Sequence, residues 1–206
     1  CVGNHKHRPD TKPWHMKDGP FLEDMVAMDV TPESVDFVMC THLHVDHIGW
    51  NTKLEDGRWV PTFPNAKYLF HEDEYAHWKT AEMPEGSGNT RREAYDDSVL
   101  PVVEAGQAVM VSDGHQLEDS VYVESSPGHT PGHVVFFDPQ LRFALSGDVI
   151  FAGSVGRTDL PGGDHETLIA SIRDKLLPLG DDVTFLPGHG PASTLGHERQ
   201  TNPFLK

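Results

Sequence analysis

The chain has 206 residues, 37% of them hydrophobic, and carries 32 acidic against 16 basic side chains, a formal net charge of -16. That length suits one domain with a buried core, and that charge excludes nucleic acid and an anionic membrane surface as main partners. Two cysteines, Cys1 and Cys40, are too few for a disulfide framework, and no apolar run approaches the roughly 18 residues of a membrane span. The expectation is a soluble protein of a reducing, cytoplasmic compartment that acts on a small molecule; because the first residue is not Met, a leader upstream stays open.

Cys1 to Pro20 is polar, rich in His, Lys, Pro and Gly, and reads as a loop. Within it His5-Lys6-His7 with Asp10 has the look of a metal motif, but no strand or helix frames it, so a solvated or supporting role is expected. Phe21 to Met28 reads as a short helix, and Thr31-Pro32-Glu33-Ser34 as a cap with proline at the first helical position. Val35 to Cys40, largely apolar and β-branched, predicts a buried strand with Cys40 as a small buried hydrophobe. That strand delivers the chain into Thr41-His42-Leu43-His44-Val45-Asp46-His47, three imidazoles and a carboxylate in six positions. These ligand types suit zinc, iron or manganese rather than calcium or magnesium. Alternation of extended backbone puts His42 and His44 on one side, with Asp46 and His47 where the chain turns towards a helix.

Gly49 to Pro64 reads as a loop whose Trp50 and Trp59 either wall a cleft or simply pack. Ala66 to Phe70 reads as a strand and Glu72 to Lys79 as a helix with Tyr75 and Trp78 at i,i+3; His71 and His77 are a strand-end and a helix-surface residue. Met83 to Thr90, with Pro, Gly, Ser and Asn in quick succession, is a candidate lid. Leu100 to Val103, Ala108 to Val111 and Val121 to Glu124 are strand-like and together predict an antiparallel meander.

Three further ligand types then recur in one arrangement: Val121 to His129, Phe143 to Asp148 and Val183 to His189 each read as strand, glycine, ligand. Glycine permits a tight departure from a strand, so the next side chain points across a sheet edge. Between the last two, Asp164 caps a helix whose Leu168, Ile169, Ile172 and Leu176 form one apolar stripe closed by Pro178. Arg157 and Asp159 either meet substrate or fix a loop as an ion pair; His133 is a structural neighbour of the ligands, His165 a helix start, and His197 and Arg199 lie near the C-terminus. The pattern is α+β, a sandwich with helices packed outside.

In order, THLHVDH, SSPGHTPGH, SGD and PGHG resemble the metal-binding motifs of the metallo-β-lactamase superfamily, from about Val35 to the end of the chain. The resemblance implies an αββα sandwich in a single domain, residues 1–206, with a dinuclear site on one edge, and a chain short of the family's first N-terminal strands. It implies that His42, His44 and His129 hold one divalent metal, that Asp46, His47 and His189 hold the other, and that Asp148 bridges them, with zinc first and iron or manganese next. Two such ions sharing a water generate hydroxide near neutral pH, which makes hydrolysis the natural reaction and Asp46 a group that also orients the nucleophile. From His133 onwards the chain looks like short glyoxalase II-type hydroxyacylglutathione hydrolases; from GNHKHRPD to HEDEYAHW it is more similar to lactonases and organophosphate hydrolases. The two halves join at PGHTPGH, as in a recombined gene. Thioester hydrolysis leads, lactone or phosphotriester hydrolysis follows, and an iron-dependent sulfur dioxygenase and a non-catalytic metal-binding fragment are the readings of other classes.

Overall fold

The computed structural model describes residues 2–80 and 90–206. These fall into two compact units, Cys1–Phe70 with Trp78–Met110, and His71–His77 with Val111–Lys206.

The first unit opens with the polar stretch up to Gly19, followed by α1 (Phe21–Ala27), which starts directly after Pro20. A 3-10 turn, Pro32–Ser34, follows with Thr31 as its cap and Ser34 returning the bond, as the Thr-Pro-Glu-Ser signal predicts. Strand β1 (Phe37–Met39) is shorter than expected and only half buried; in the order β1-β4-β5 it stands at the edge among the described residues, paired there with β4. Its partner β4 (Lys67–His71) runs parallel to it, with Phe37 opposite Lys67 and Met39 opposite Leu69, and carries the buried Tyr68, Leu69 and Phe70.

Between them α2 (Val45–Ile48) continues into a 3-10 turn, Gly49–Asn51, and then into a hairpin, β2 (Thr52–Glu55) and β3 (Arg58–Pro61). The loop expected over 49–64 is therefore a two-stranded sheet. Its turn is Asp56-Gly57, both with positive φ (47° and 76°), the backbone of a tight hairpin turn that an Asp-Gly pair supplies. The phenol of Tyr68 bonds the hairpin base to the sheet, donating to the Asn51 carbonyl at 3.0 Å and accepting from Phe63 N–H at 3.1 Å.

After β4 come α3 (Glu72–Thr80), α4 (Thr90–Ser98), α5 (Leu100–Glu104) and β5 (Ala108–Val111). The Leu100–Val103 run is helical, not a strand. Pro101 sits in its first turn, where the missing N–H costs nothing, and Val99 N–H bonds back to Tyr95, so the helix follows directly from α4. The expected meander is absent for the same reason: β5 belongs to the β1-β4-β5 sheet and Val121–Ser125 to another. The stretch expected as a lid, Met83 to Thr90, lies outside the described residues apart from Thr90 at the start of α4.

The second unit is a six-stranded sheet ordered β13-β12-β9-β8-β7-β6: β6 (Gln116–Leu117), β7 (Val121–Ser125), β8 (Val134–Asp138), β9 (Phe143–Gly147), β12 (Thr184–Pro187) and β13 (Ser193–Thr194). A small hairpin, β10 (Ile150–Phe151) with β11 (Ser154–Val155), leaves the end of β9. Helix α6 (His165–Ser171) is capped by Asp164, whose carboxylate accepts Thr167 N–H at 2.7 Å, and a π-helical turn, Ile172–Leu176, prolongs it. Its stripe of Leu168, Ile172 and Leu176 is fully buried in one core with Val135, Phe137, Ala144, Val183 and Phe185 from the sheet. Helix α7 (Leu195–Thr201) closes the unit; its Glu198 is buried and accepts from Gly153 N–H, Ser193 Oγ and Asn202 Nδ2 at 2.6–2.9 Å. No helix among the described residues is long and apolar enough to cross a membrane.

Candidate metal centre

In the first unit the chain leaves β1 through Cys40, 7% exposed, bends at Thr41 and reaches His44, the extended cap of α2. This backbone brings His42 and His44 together as expected, ring centroids 4.8 Å apart and both buried. Helix α2 then returns His47 to within 4.2 Å of the His42 ring, with His47 Nε2 3.6 Å from Asp46 Oδ2. Trp78 closes over His44 edge-on at 5.5 Å. Three imidazoles and a carboxylate thus share one patch at the end of a strand.

In the second unit His129, Asp148 and His189 each follow a strand end, on β7, β9 and β12. Gly128, immediately before His129, has φ +125° and a Cβ there would lie 2.3 Å from Leu168 N of α6, so the turn that aims His129 accepts only glycine. The Asp148 carboxylate stands between the other two, 3.7 Å from His129 Nε2 and 3.5 Å from His189 Nε2. His129 and Asp148 are buried; His189 is more than half exposed.

Two features of this geometry fit a transition metal. Imidazole and carboxylate atoms bonded to one tetrahedral cation at about 2.1 Å lie roughly 3.4 Å apart, and the three intra-unit pairs at 3.5–3.7 Å match that spacing rather than a hydrogen bond. The ring nitrogens away from the cluster are also fixed. His129 Nδ1 donates to the Arg157 carbonyl at 2.8 Å, which leaves its Nε2 lone pair for a cation, and His42 Nδ1 is held by Thr41 Oγ1 at 3.1 Å. His133, expected as a neighbour, supports the site from beneath: it is fully buried and its Nε2 accepts Asp148 N–H at 3.0 Å.

The other singled-out residues are elsewhere. His5 and His7 are exposed, near Asp18 and Glu93, as the solvated reading expects. Lys6 and Arg8 between them, however, are fully buried, a role that alternation hints at and composition hides. Arg8 forks onto Asp97 with two 2.8 Å bonds; Lys6 donates to Thr52 Oγ1 at 2.6 Å, lies 3.4 Å from Asp97 and sits 3.5 Å over the Trp59 ring. Burial pushes the Lys6 ammonium down to about 7, against the pull of Asp97. Trp59 is thus a packing residue. Arg157 and Asp159 form the expected exposed pair, two bonds of 2.7 Å, which holds Asp159 at about 2. The Arg157 carbonyl, invisible in a motif, is the part that reaches the ligand set. Arg199 bonds Asp181 and the Leu177 carbonyl and serves α7.

The metallo-β-lactamase superfamily model matches residues 12–189. The hydroxyacylglutathione hydrolase GloC of Haemophilus influenzae is 37% identical over 170 residues, 82% of this chain and 74% of that one. The probable metallo-hydrolase YqgX of Bacillus subtilis is 33% identical over the same shares. Matches covering 82% of the chain necessarily run through the Pro127–His133 junction. Among solved structures, TTHA1623 in a di-iron-bound form superposes with a TM-score of 0.69 at 33% identity, covering 91% of this chain and 86% of that one. The chain belongs to the metallo-β-lactamase superfamily and is a hydrolase of that fold.

Proposed function

We propose that the two ligand sets form one dinuclear centre, with His42, His44 and His129 on one metal, Asp46, His47 and His189 on the other and Asp148 between them, and that it hydrolyses thioesters of the hydroxyacylglutathione type. The observation that carries the reading is the Asp148 carboxylate held between the Nε2 atoms of His129 and His189 at cation-sharing distances. Zinc is the metal proposed, since imidazole and carboxylate donors suit it; iron suits the same donors, and the similar TTHA1623 is known in a di-iron-bound form.

When bound, two divalent cations lower the pKa of a shared water towards neutrality and polarise an acyl oxygen. The chain's own residues do the positioning. The Arg157 carbonyl holds the His129 tautomer, the Thr41 hydroxyl orients the His42 ring, and His133 holds the Asp148 backbone; Asp46 would orient the attacking water through its free carboxylate oxygen. A thiol departs as thiolate near neutral pH, so thioester cleavage needs no proton delivered to the leaving group. Identity of 37% to a hydroxyacylglutathione hydrolase supports this substrate class.

The test is elemental analysis of the purified protein followed by steady-state assays with S-lactoylglutathione, an acyl-homoserine lactone and a phosphotriester. Two metal equivalents and thioester turnover lost in Asp46→Ala are expected. Metal-loaded protein that hydrolyses only the lactone or the phosphotriester would move the reading to that branch, and one iron with oxygen consumption would replace hydrolysis with oxidation.

A further inference from the structure

The first unit contains a recess of about 360 Å³ whose walls are Trp14, Phe21 and Trp50. Its volume lies at the lower end of the range for small-molecule sites, enough for one ring or a short chain. Phe21, the first residue of α1, stacks on Trp50 with centroids 4.8 Å apart and 25° between planes. Trp14 comes from a separate turn, closed by its N–H to the Thr11 carbonyl at 2.8 Å. The rim is built rather than incidental. Asn4 clamps Gly19 in both directions, donating to its carbonyl at 2.8 Å and accepting its N–H at 3.1 Å, while the Gly3 backbone lies so close to Gly49 that neither position has room for a Cβ. Lys17 and Asp24 also line it, and neither side chain is ion-paired among the described residues. The lining therefore combines three aromatic rings with two charged side chains.

The position of Trp50 connects this recess to the chemistry. Helix α2 passes directly into the 3-10 turn after it, through Ile48 at the bridge between them (φ -112°, ψ -4°) and the helical Gly49 (φ -59°, ψ -32°). Trp50 is thus about one turn along the chain from both Asp46 and His47, at i+4 and i+3. A wall one turn along the chain from two candidate ligands is placed to take the non-reacting arm of a substrate.

We infer that the recess binds an apolar, preferably aryl, substituent on the acyl group, so that the favoured thioester carries an aromatic or medium-chain hydroxyacyl group rather than lactoyl. This rests on the hydrolase reading above for its chemistry, but the recess and its binding do not. Burying a ring instead of a methyl adds several carbons of apolar area, each worth up to about fourfold, so S-mandeloylglutathione exceeds S-lactoylglutathione in kcat/KM by about tenfold or more.

The experiment compares the two thioesters on the metal-loaded full chain and on Gly19→Leu. Gly19 lines the recess with a non-left-handed backbone, and a Cβ there meets only the Lys17 Cε at 3.8 Å, so a side chain is accommodated without strain. The mandeloyl-to-lactoyl ratio falls towards one in Gly19→Leu and, as a second variant, in Trp14→Ala, each checked by thermal melting. A binding readout runs in parallel: 2-phenylacetamide quenches tryptophan emission saturably in the unmodified chain and not in Gly19→Leu. A ratio near one in the unmodified chain with no saturable quenching overturns the inference and leaves the hydrolase reading intact. Saturable quenching without any thioester turnover upholds the recess and overturns the thioester substrate.

Discussion

Asp97→Asn offers the most direct test of how the first unit is held together. The Asp97 carboxylate is the only counter-charge described for two buried cations, taking two 2.8 Å bonds from Arg8 and lying 3.4 Å from Lys6, whose side chains are both fully buried. With the carboxylate gone, Lys6 escapes by losing its proton, since burial already holds it at about 7. Arg8 has no such exit, because a guanidinium stays charged at any accessible pH. Stranding one buried cation costs about 3–5 kcal/mol, and at roughly 2–4 °C per kcal/mol for a chain of this size the melting temperature falls by about 6–20 °C. Urea denaturation of the metal-loaded protein measures the loss. A double variant, Arg8→Met with Asp97→Leu, removes the guanidinium together with its partner; Lys6 then sheds its proton and keeps its bond to Thr52, the Ser98 hydroxyl loses its Asp97 acceptor, and a large part of the stability returns. A single-variant loss below about 1 kcal/mol, or a double variant no better than Asp97→Asn, would refute the argument.

Lys6→Met changes the pH dependence. Because the native Lys6 pKa is lowered from 10.5 to about 7, the unfolded chain holds one more proton between those values and stability rises with pH, by at most about 1.4 kcal/mol per unit; denaturation at pH 7, 8 and 9 gives a smaller slope in the variant, and equal slopes would count against a buried, deprotonating lysine. Gly128→Ala combines a φ of +125° with a Cβ 2.3 Å from the backbone of α6, so about 1–3 kcal/mol of backbone strain is the lower bound, and retained zinc at unchanged melting temperature would contradict the close approach. Glu198→Ala strands three donors inside the second unit, and a loss of about 2–4 kcal/mol in chemical denaturation is expected. Asp148→Asn weakens metal uptake, so zinc raises the melting temperature of the parent chain and not of the variant; equal shifts would remove Asp148 from the ligand set.

Much of the ligand-bearing framework is legible in the residues themselves. Ligand types announce their chemistry locally: His42, His44, Asp46 and His47 follow a strand, and Gly128, Gly147 and Gly188 each precede a ligand at a strand end, so element and side chain are specified within a few positions. Capping was equally local, at Thr31 and Asp164. The hairpin at Asp56-Gly57 was readable too, since Thr52–Glu55 and Arg58–Pro61 flank a turn pair that demands positive φ, but Pro and Gly weighed towards a loop. The Leu100–Val103 run shows the opposite case: its residues favour a strand, and its place directly after α4 made it a helix.

What the sequence alone determined is the kind of chemistry, because metal-ligand spacing, glycine turns and strand ends are short-range features that fold context does not alter. What only the tertiary structure decided is which charges are buried and which aromatics line space. Lys6 and His7 are neighbours in the same polar stretch, yet one lies beneath Trp59 and the other in solvent; Trp50 and Trp59 have the same composition signal, yet one walls a recess with Phe21 and Trp14 and the other covers a lysine. Burial of this sort depends on contacts between residues tens of positions apart, 46 for Lys6 with Thr52 and 89 for Arg8 with Asp97, and no local pattern carries that information.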